Sequence, residues 1–146
     1  MDTLRELAVG DKAFFHKTIT EADVGLFAGV TGDFSRIHMD AEFARSTQFG
    51  QRIAHGLLTS SFISTIMGMQ LPGSGTIFMD QSVACKKPVF VGDTITTQGA
   101  FTGYAEKTKG DIGEFTGTCT NQRDEVVVTA TCHQMMPKTH FKIVDR

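Results

Sequence analysis

Apolar residues occupy nearly every side of the segment from Gly56 to Met69, where Leu57, Leu58, Phe62, Ile63, Ile66, Met67 and Met69 are interrupted only by small residues. A helix of that pattern has no face for water and must be buried almost all round. At about 14 residues it falls short of the ~20 that a bilayer span needs, so protein has to supply the cover. A sheet wrapped around the helix does so.

The rest of the second half reads as strands: Thr76 to Cys85, Thr94 to Tyr104, Asp111 to Asn121, and Val126 to Met136. Turn signals separate them at Pro88 with Gly92-Asp93, at Gly110, and at Asn121-Gln122-Arg123-Asp124. No crossover helix intervenes, so the sheet is mainly antiparallel, and one long buried helix with such a sheet is an α+β roll. In the first half, β-branched and aromatic residues from Ala13 to Ile19 predict another strand. Thr20 and Asp23 then form a capping box in which Asp replaces the usual Glu or Gln. The helix that follows runs to about Val30 with Val24, Leu26, Phe27 and Val30 on its apolar face, and the stretch Thr31 to Met39 has neither period and reads as a loop. Asp40 caps a brief helix over Ala41 to Ser46.

Length and charge narrow the function classes. The 146 residues suit a single domain, 1–146, that buries its core without disulfides or a structural metal. A formal net charge of -2, with Lys and Arg scattered, provides no positive field for nucleic acid. The start, MDTLRELAVGDKAFF, has no apolar run of signal-peptide length, and the expected location is cytoplasmic, with no membrane span. Cys85, Cys119 and Cys132 form no CxxC pair. Cys132 and His133 are adjacent on a strand and point to opposite faces, so no metal site is expected.

Asp33 and His38 are the acid and imidazole that lie close together in a segment of small and apolar residues. A separation of five places them ~140° apart on a helix and on opposite faces of a strand, so they meet only on an irregular loop. A carboxylate beside an imidazole provides a base and an acid near neutral pH, the more so where burial moves their pKa values. Hydration of an enoyl thioester needs such a pair, with donors for the thioester oxygen, and no redox or metal cofactor. The unpaired N–H groups at Gly56, where the buried helix starts, can be those donors, with the acyl tail along Ile63, Ser64 and Met67. A loop aspartate is also a common turn former, a loop histidine a common surface donor, and His55 simply the residue ahead of a helix. Spacing alone leaves both readings open.

The stretch Gly32-Asp33-Phe34-Ser35-Arg36-Ile37-His38, followed by Ala44, resembles the Gly-Asp-x-Asn-Pro-aliphatic-His signature of the (R)-specific enoyl-CoA hydratases, in the MaoC-like dehydratase group of hot-dog-fold proteins. Ile53-Ala54-His55-Gly56-Leu57-Leu58 is similar to that family's start of the central helix, and Lys87-Pro88-Val89-Phe90-Val91-Gly92-Asp93 to its turn between strands. The landmarks run in order from Val9 to Met136. The resemblance implies a hot-dog fold, a long central helix wrapped by a five- or six-stranded antiparallel sheet, paired into a homodimer. It implies that Asp33 and His38 activate and orient the water, that Gly56 N–H polarises the thioester carbonyl, and that Ser35 and His55 support the loop. The substrate it implies is an acyl-CoA thioester, with coenzyme A part of the substrate and no separate cofactor.

Two positions depart from the signature. Ser35 replaces Asn with a shorter hydroxyl, and Arg36 replaces a Pro that stiffens the loop. Arg36 is also within possible reach of a coenzyme A phosphate. Two rival readings are a hot-dog acyl-CoA thioesterase and a non-catalytic acyl-CoA-binding module. The first usually needs an acid on the central helix, and Gly56 to Met69 contains none.

Overall fold

The computed structural model describes residues 3–146. Five strands form one antiparallel sheet: β2 (Lys12–Thr18), β3 (Ile77–Cys85), β4 (Thr94–Glu106), β5 (Gly110–Thr120) and β6 (Val126–Pro137), in the order β2-β4-β5-β6-β3. Against one face lies the long helix α4 (Gly56–Met69). The α+β architecture expected for a hot-dog fold is therefore present, with five strands in the main sheet.

Small residues explain where the helix seats. Gly99 on β4 pairs in register with Gly117 on β5, which pairs with Ala130 on β6, so a row without bulky side chains crosses the sheet. A Cβ on Gly117 would lie 2.7 Å from Ile63 Cδ1, and one on Gly99 would lie 2.9 Å from Ile66 Cγ2. The helix approaches the sheet more closely there than side chains would permit. Alternate residues of β4 and β6 face this core, among them Ile95, Phe101, Val128 and Cys132.

The helix is not enclosed on all sides. Leu58, Thr59, Phe62, Ile63, Ile66 and Met67 are buried, but Leu57, Ser61, Ser64 and Gly68 line an exposed strip of this chain. Because one sheet covers one face, the opposite side of α4 stays open. Among the described residues, no helix is long and apolar enough to cross a membrane.

A second correction concerns α1 (Glu21–Thr31). Its buried residues are Val24 and Ala28, one turn apart, with Phe27 half-buried against the core, whereas Leu26 is 69% exposed and Val30 85% exposed. Leu26 lies two residues, roughly 200°, from Val24 and so faces away from the core. The capping box is present: Asp23 N–H donates to Thr20 Oγ1 (3.1 Å) and Thr20 N–H donates to Asp23 Oδ2 (2.9 Å). Gly32 ends α1 with φ 80°, a left-handed conformation that glycine adopts without steric cost.

The stretch read as a loop from Thr31 to Met39 contains one turn of helix, α2 (Arg36–Met39), followed by α3 (Ala41–Arg45), which Asp40 caps. Four residues are too few to establish a period in sequence. Also absent from the sequence reading is a parallel pair of three-residue strands, β1 (Arg5–Leu7) with β7 (Phe141–Ile143), whose Leu7 and Phe141 are buried.

Candidate active site

The chain leaves α1 at Gly32 and immediately places Asp33 on the bend before α2. Ser35 N–H (3.1 Å) and Ser35 Oγ–H (2.6 Å) both donate to Asp33 Oδ1. These two donors, the hydroxyl foremost, hold the Asp33 carboxyl below its ordinary pKa. The carboxylate is exposed, so Ser35 rather than burial sets the direction of that change. Ser35 thus supplies two donors through its hydroxyl and backbone, despite its short side chain.

His38 lies on α2, half-buried, with Nδ1 2.7 Å from the Ile53 carbonyl oxygen. A carbonyl can only accept, so Nδ1 carries the proton and Nε2 is left free to exchange one. His55 precedes α4 and is buried; its Nε2 donates to the Asp33 carbonyl oxygen at 2.9 Å. The rings of His38 and His55 stack with centroids 3.9 Å apart, and Phe27 packs on the His55 ring at 4.8 Å. His55 therefore links the Asp33 backbone to the His38 ring, a supporting position that needs no proton transfer of its own.

The Ile53 segment aligns these pieces. Ile53 N–H donates to the Ile37 carbonyl (3.2 Å), Ala54 N–H donates to the Val89 carbonyl (2.7 Å), and Ile53 bridges to Phe90. Arg52 Nε donates to the His38 carbonyl (2.5 Å), and its guanidinium pairs with Glu21 at 2.8 Å, tying α2 to the start of α1. Arg52 is a positioning residue that the sequence reading missed, and an arginine one residue outside a motif carries no distinguishing signal.

Gly56 opens α4 with no side-chain cap, so the first N–H groups of the helix point outward with its partial positive charge. It borders a cavity of about 360 Å³ whose wall includes His38, Phe49, Thr59, Cys85, Val89 and Val128. A Cβ on Gly56 would lie 2.7 Å from Cys85 Sγ, so glycine is what permits this approach. Asp33 does not line the cavity, but its carboxylate, His38 and His55 each bring an atom within 4.8 Å of the others.

Those three residues are close enough to hold a metal ion. However, His38 Nδ1 and His55 Nε2 are committed to carbonyls, and the one remaining nitrogen on each ring, beside an exposed carboxylate, suits proton transfer.

The remaining sequence-predicted residues lie elsewhere. Ile63 and Met67 are buried against Gly117 and Gly99, Ser64 is exposed, and none of the three borders the cavity within this chain. Arg36 pairs with Asp40 at 3.1 Å and stacks 4.5 Å over the Phe43 ring, which occupies it locally.

Known proteins share this arrangement of chain. The chain is 39% identical over 132 residues to an (R)-specific enoyl-CoA hydratase of Rhodospirillum rubrum, covering 90% of each. Against the (R)-specific enoyl-CoA hydratase of Aeromonas caviae it is 42% identical over 102 residues, 70% of this chain and 76% of that one. The solved structure of an (R)-hydratase from A. caviae involved in PHA biosynthesis superposes with a TM-score of 0.84 at 37% identity, over 90% of this chain and 98% of the other. The pattern of the MaoC like domain matches residues 8–127. With that match over most of its length and these relatives across nearly all of it, the chain belongs to the MaoC-like domain family.

Proposed function

We propose that this protein adds water across the double bond of a trans-2-enoyl-CoA to give the (R)-3-hydroxyacyl-CoA, and catalyses the reverse dehydration. The observation that carries this reading is an ionised Asp33 whose carboxylate lies within 4.8 Å of a His38 ring nitrogen, with His38, its Nε2 free, and the open start of α4 at Gly56 lining one cavity. The names of the R. rubrum and A. caviae relatives support it.

In the hydration direction, Asp33 and His38 hold a water beside the double bond. The Asp33 carboxylate takes a proton from it as its oxygen bonds to C3 of the acyl group. The electron pair of the double bond moves toward the thioester oxygen, where Gly56 N–H and the helix dipole stabilise the charge. A proton returned to C2 from the Asp33–His38 pair completes the addition, so water is consumed and no other reactant is needed. Dehydration runs through the same steps in reverse.

The edges of the sheet support a homodimer. β3 is an edge strand whose Ile77, Phe78 and Met79 are all exposed, an apolar border that a second copy would cover. The three free cysteines accord with a reducing, cytoplasmic setting.

The test follows the loss of enoyl-thioester absorbance with crotonyl-CoA and longer trans-2-enoyl-CoAs, coupled to an (R)-3-hydroxyacyl dehydrogenase. Wild-type turnover that falls about 10²–10⁴-fold in Asp33→Asn and in His38→Ala supports the pair. Turnover that survives Asp33→Asn refutes Asp33 as the base.

A further inference from the structure

The candidate active site lies at the start of α4, and the far end of that helix stops short of the sheet. Cys119 Sγ–H donates to the Thr59 carbonyl and Ile63 sits over Gly117, so α4 runs toward Met69 as β5 is followed back toward Asp111. From Ile63 the helix has six residues left, roughly 9 Å, whereas the strand has six residues from Gly117 to Asp111, roughly 20 Å. Side chains alternate along a strand, so Asp111 shares the core face of β5 with Gly113, Phe115 and Gly117. Beyond the helix that face borders a cavity of about 300 Å³, with Tyr104, Phe141 and Ile143 in its wall.

Asp111 lines the same cavity and is 6% exposed, yet among the described residues no hydrogen bond reaches its carboxylate. Neither oxygen is fully enclosed, so a ligand in the cavity can meet them. Burial pushes the carboxyl above its ordinary pKa, and the nearby Lys138 only partly offsets this. A buried carboxylate without a donor costs free energy that a donor in the cavity relieves. The surrounding charges do not supply one. Glu106, opposite Asp111 in the ladder, pairs with Lys138 at 2.8 Å, and those two charges offset each other. Lys142 is exposed at the rim, where solvent screens it.

We propose that this cavity is a second binding site, apart from the candidate active site, for a small organic ammonium whose N–H groups donate to Asp111 and whose short apolar body packs on Tyr104, Phe141 and Ile143. A charged donor suits Asp111 better than a hydroxyl, because hydrogen bonds between ionised groups are about twice as strong as neutral ones. The Tyr104 ring adds attraction for a cation. A volume of about 300 Å³ is at the small end for ligand pockets and fits a ligand of few carbons.

Tyr104 reports on this site directly, because the chain has one tyrosine and no tryptophan. Its fluorescence is followed while the full chain is titrated with n-butylammonium chloride at about pH 8, where the amine is charged and a carboxyl ionised. 1-Butanol serves as the neutral shape and sodium chloride as the salt control. The expected result is a saturable change with n-butylammonium alone, with an affinity about tenfold or more lower in Asp111→Asn. Lys138→Met, which leaves the Glu106 charge uncompensated, binds severalfold more tightly. Circular dichroism shows that each variant is folded, and if Asp111→Asn is not, the direction of the Lys138→Met change decides. Equal affinity in wild type and a folded Asp111→Asn, binding of 1-butanol as tight as that of the amine, weaker binding in Lys138→Met, or no saturable change at all overturns the proposal.

Discussion

Truncating Ile63 separates a core role from a tail-binding one. Its side chain is fully buried, and it lies over Gly117 with Cδ1, Cγ2 and Cγ1 at 2.7, 2.7 and 2.8 Å from where a Cβ on that glycine would be. Ile63→Ala removes those three carbons. The facing glycine has no side chain to swing into the space, and strands β4, β5 and β6 hold one another by ladders on both sides of Gly117, so collapse is limited. The cost therefore belongs in the upper half of about 2–5 kcal/mol. A loss of about 4 kcal/mol in a domain this size corresponds to roughly 8–16 °C in Tm. Gly117→Ala alone overfills the same space and costs about 1–3 kcal/mol. In the double variant the new methyl occupies part of the vacated volume, so the combined cost is smaller than the sum by about 0.5–3 kcal/mol. Urea unfolding followed by circular dichroism at one fixed protein concentration measures all four proteins. Strict additivity, or an Ile63→Ala protein as stable as wild type that accepts longer acyl tails, refutes the packing argument and returns Ile63 to the acyl pocket.

Ser35→Ala removes the closer of two donors to Asp33, so the carboxyl pKa rises toward its ordinary value. Because the base must be ionised, the acidic limb of the pH–kcat/KM profile moves to higher pH; an unmoved limb means Asp33 is not the group titrating. Gly56→Ala drives a methyl to within 2.7 Å of Cys85 Sγ and displaces the start of α4, lowering kcat/KM by about 10–100-fold. Adding Cys85→Ala recovers most of that loss, and a double variant as poor as the single one locates the damage elsewhere. Glu125, held down to a pKa of about 2 by donors on Lys87, Asn121 and Arg123, contributes stability that is complete above its usual 4.5 and is lost as pH falls through about 2. Glu125→Gln should flatten the fall in unfolding midpoint across that interval, and an unchanged slope removes the pairing from the account.

Much of the fold is written in local pattern. The strands of the second half lie within one or two residues of where alternating side chains and turn residues place them, because a turn is encoded by its own few residues. The Thr20–Asp23 capping box and the start of α4 at Gly56 are also local and were legible. The stretch from Gly32 to His38 that carries the candidate pair is contiguous, so its resemblance to the family signature is legible in the sequence.

Contacts between segments far apart in sequence were not legible. Nothing around Arg5 or Phe141 predicts that they pair, since three-residue strands have no period and their partner lies more than 130 residues away. Apolar content puts Leu26 and Val30 on the inner face of α1 and buries α4 almost all round, but which side becomes core depends on the sheet: Val24 and Ala28 turn inward, while Leu26, Val30 and Leu57 do not. The site shows the same division. Residue type and spacing make Asp33 and His38 candidates for a base and an acid and leave the turn-former and surface-donor readings open. Only the folded chain brings the Ile53 carbonyl to His38 Nδ1 and stacks His55 on its ring. Hydrogen bonds and close packing act over a few ångströms in space, and separation along the chain does not reveal which groups come that near.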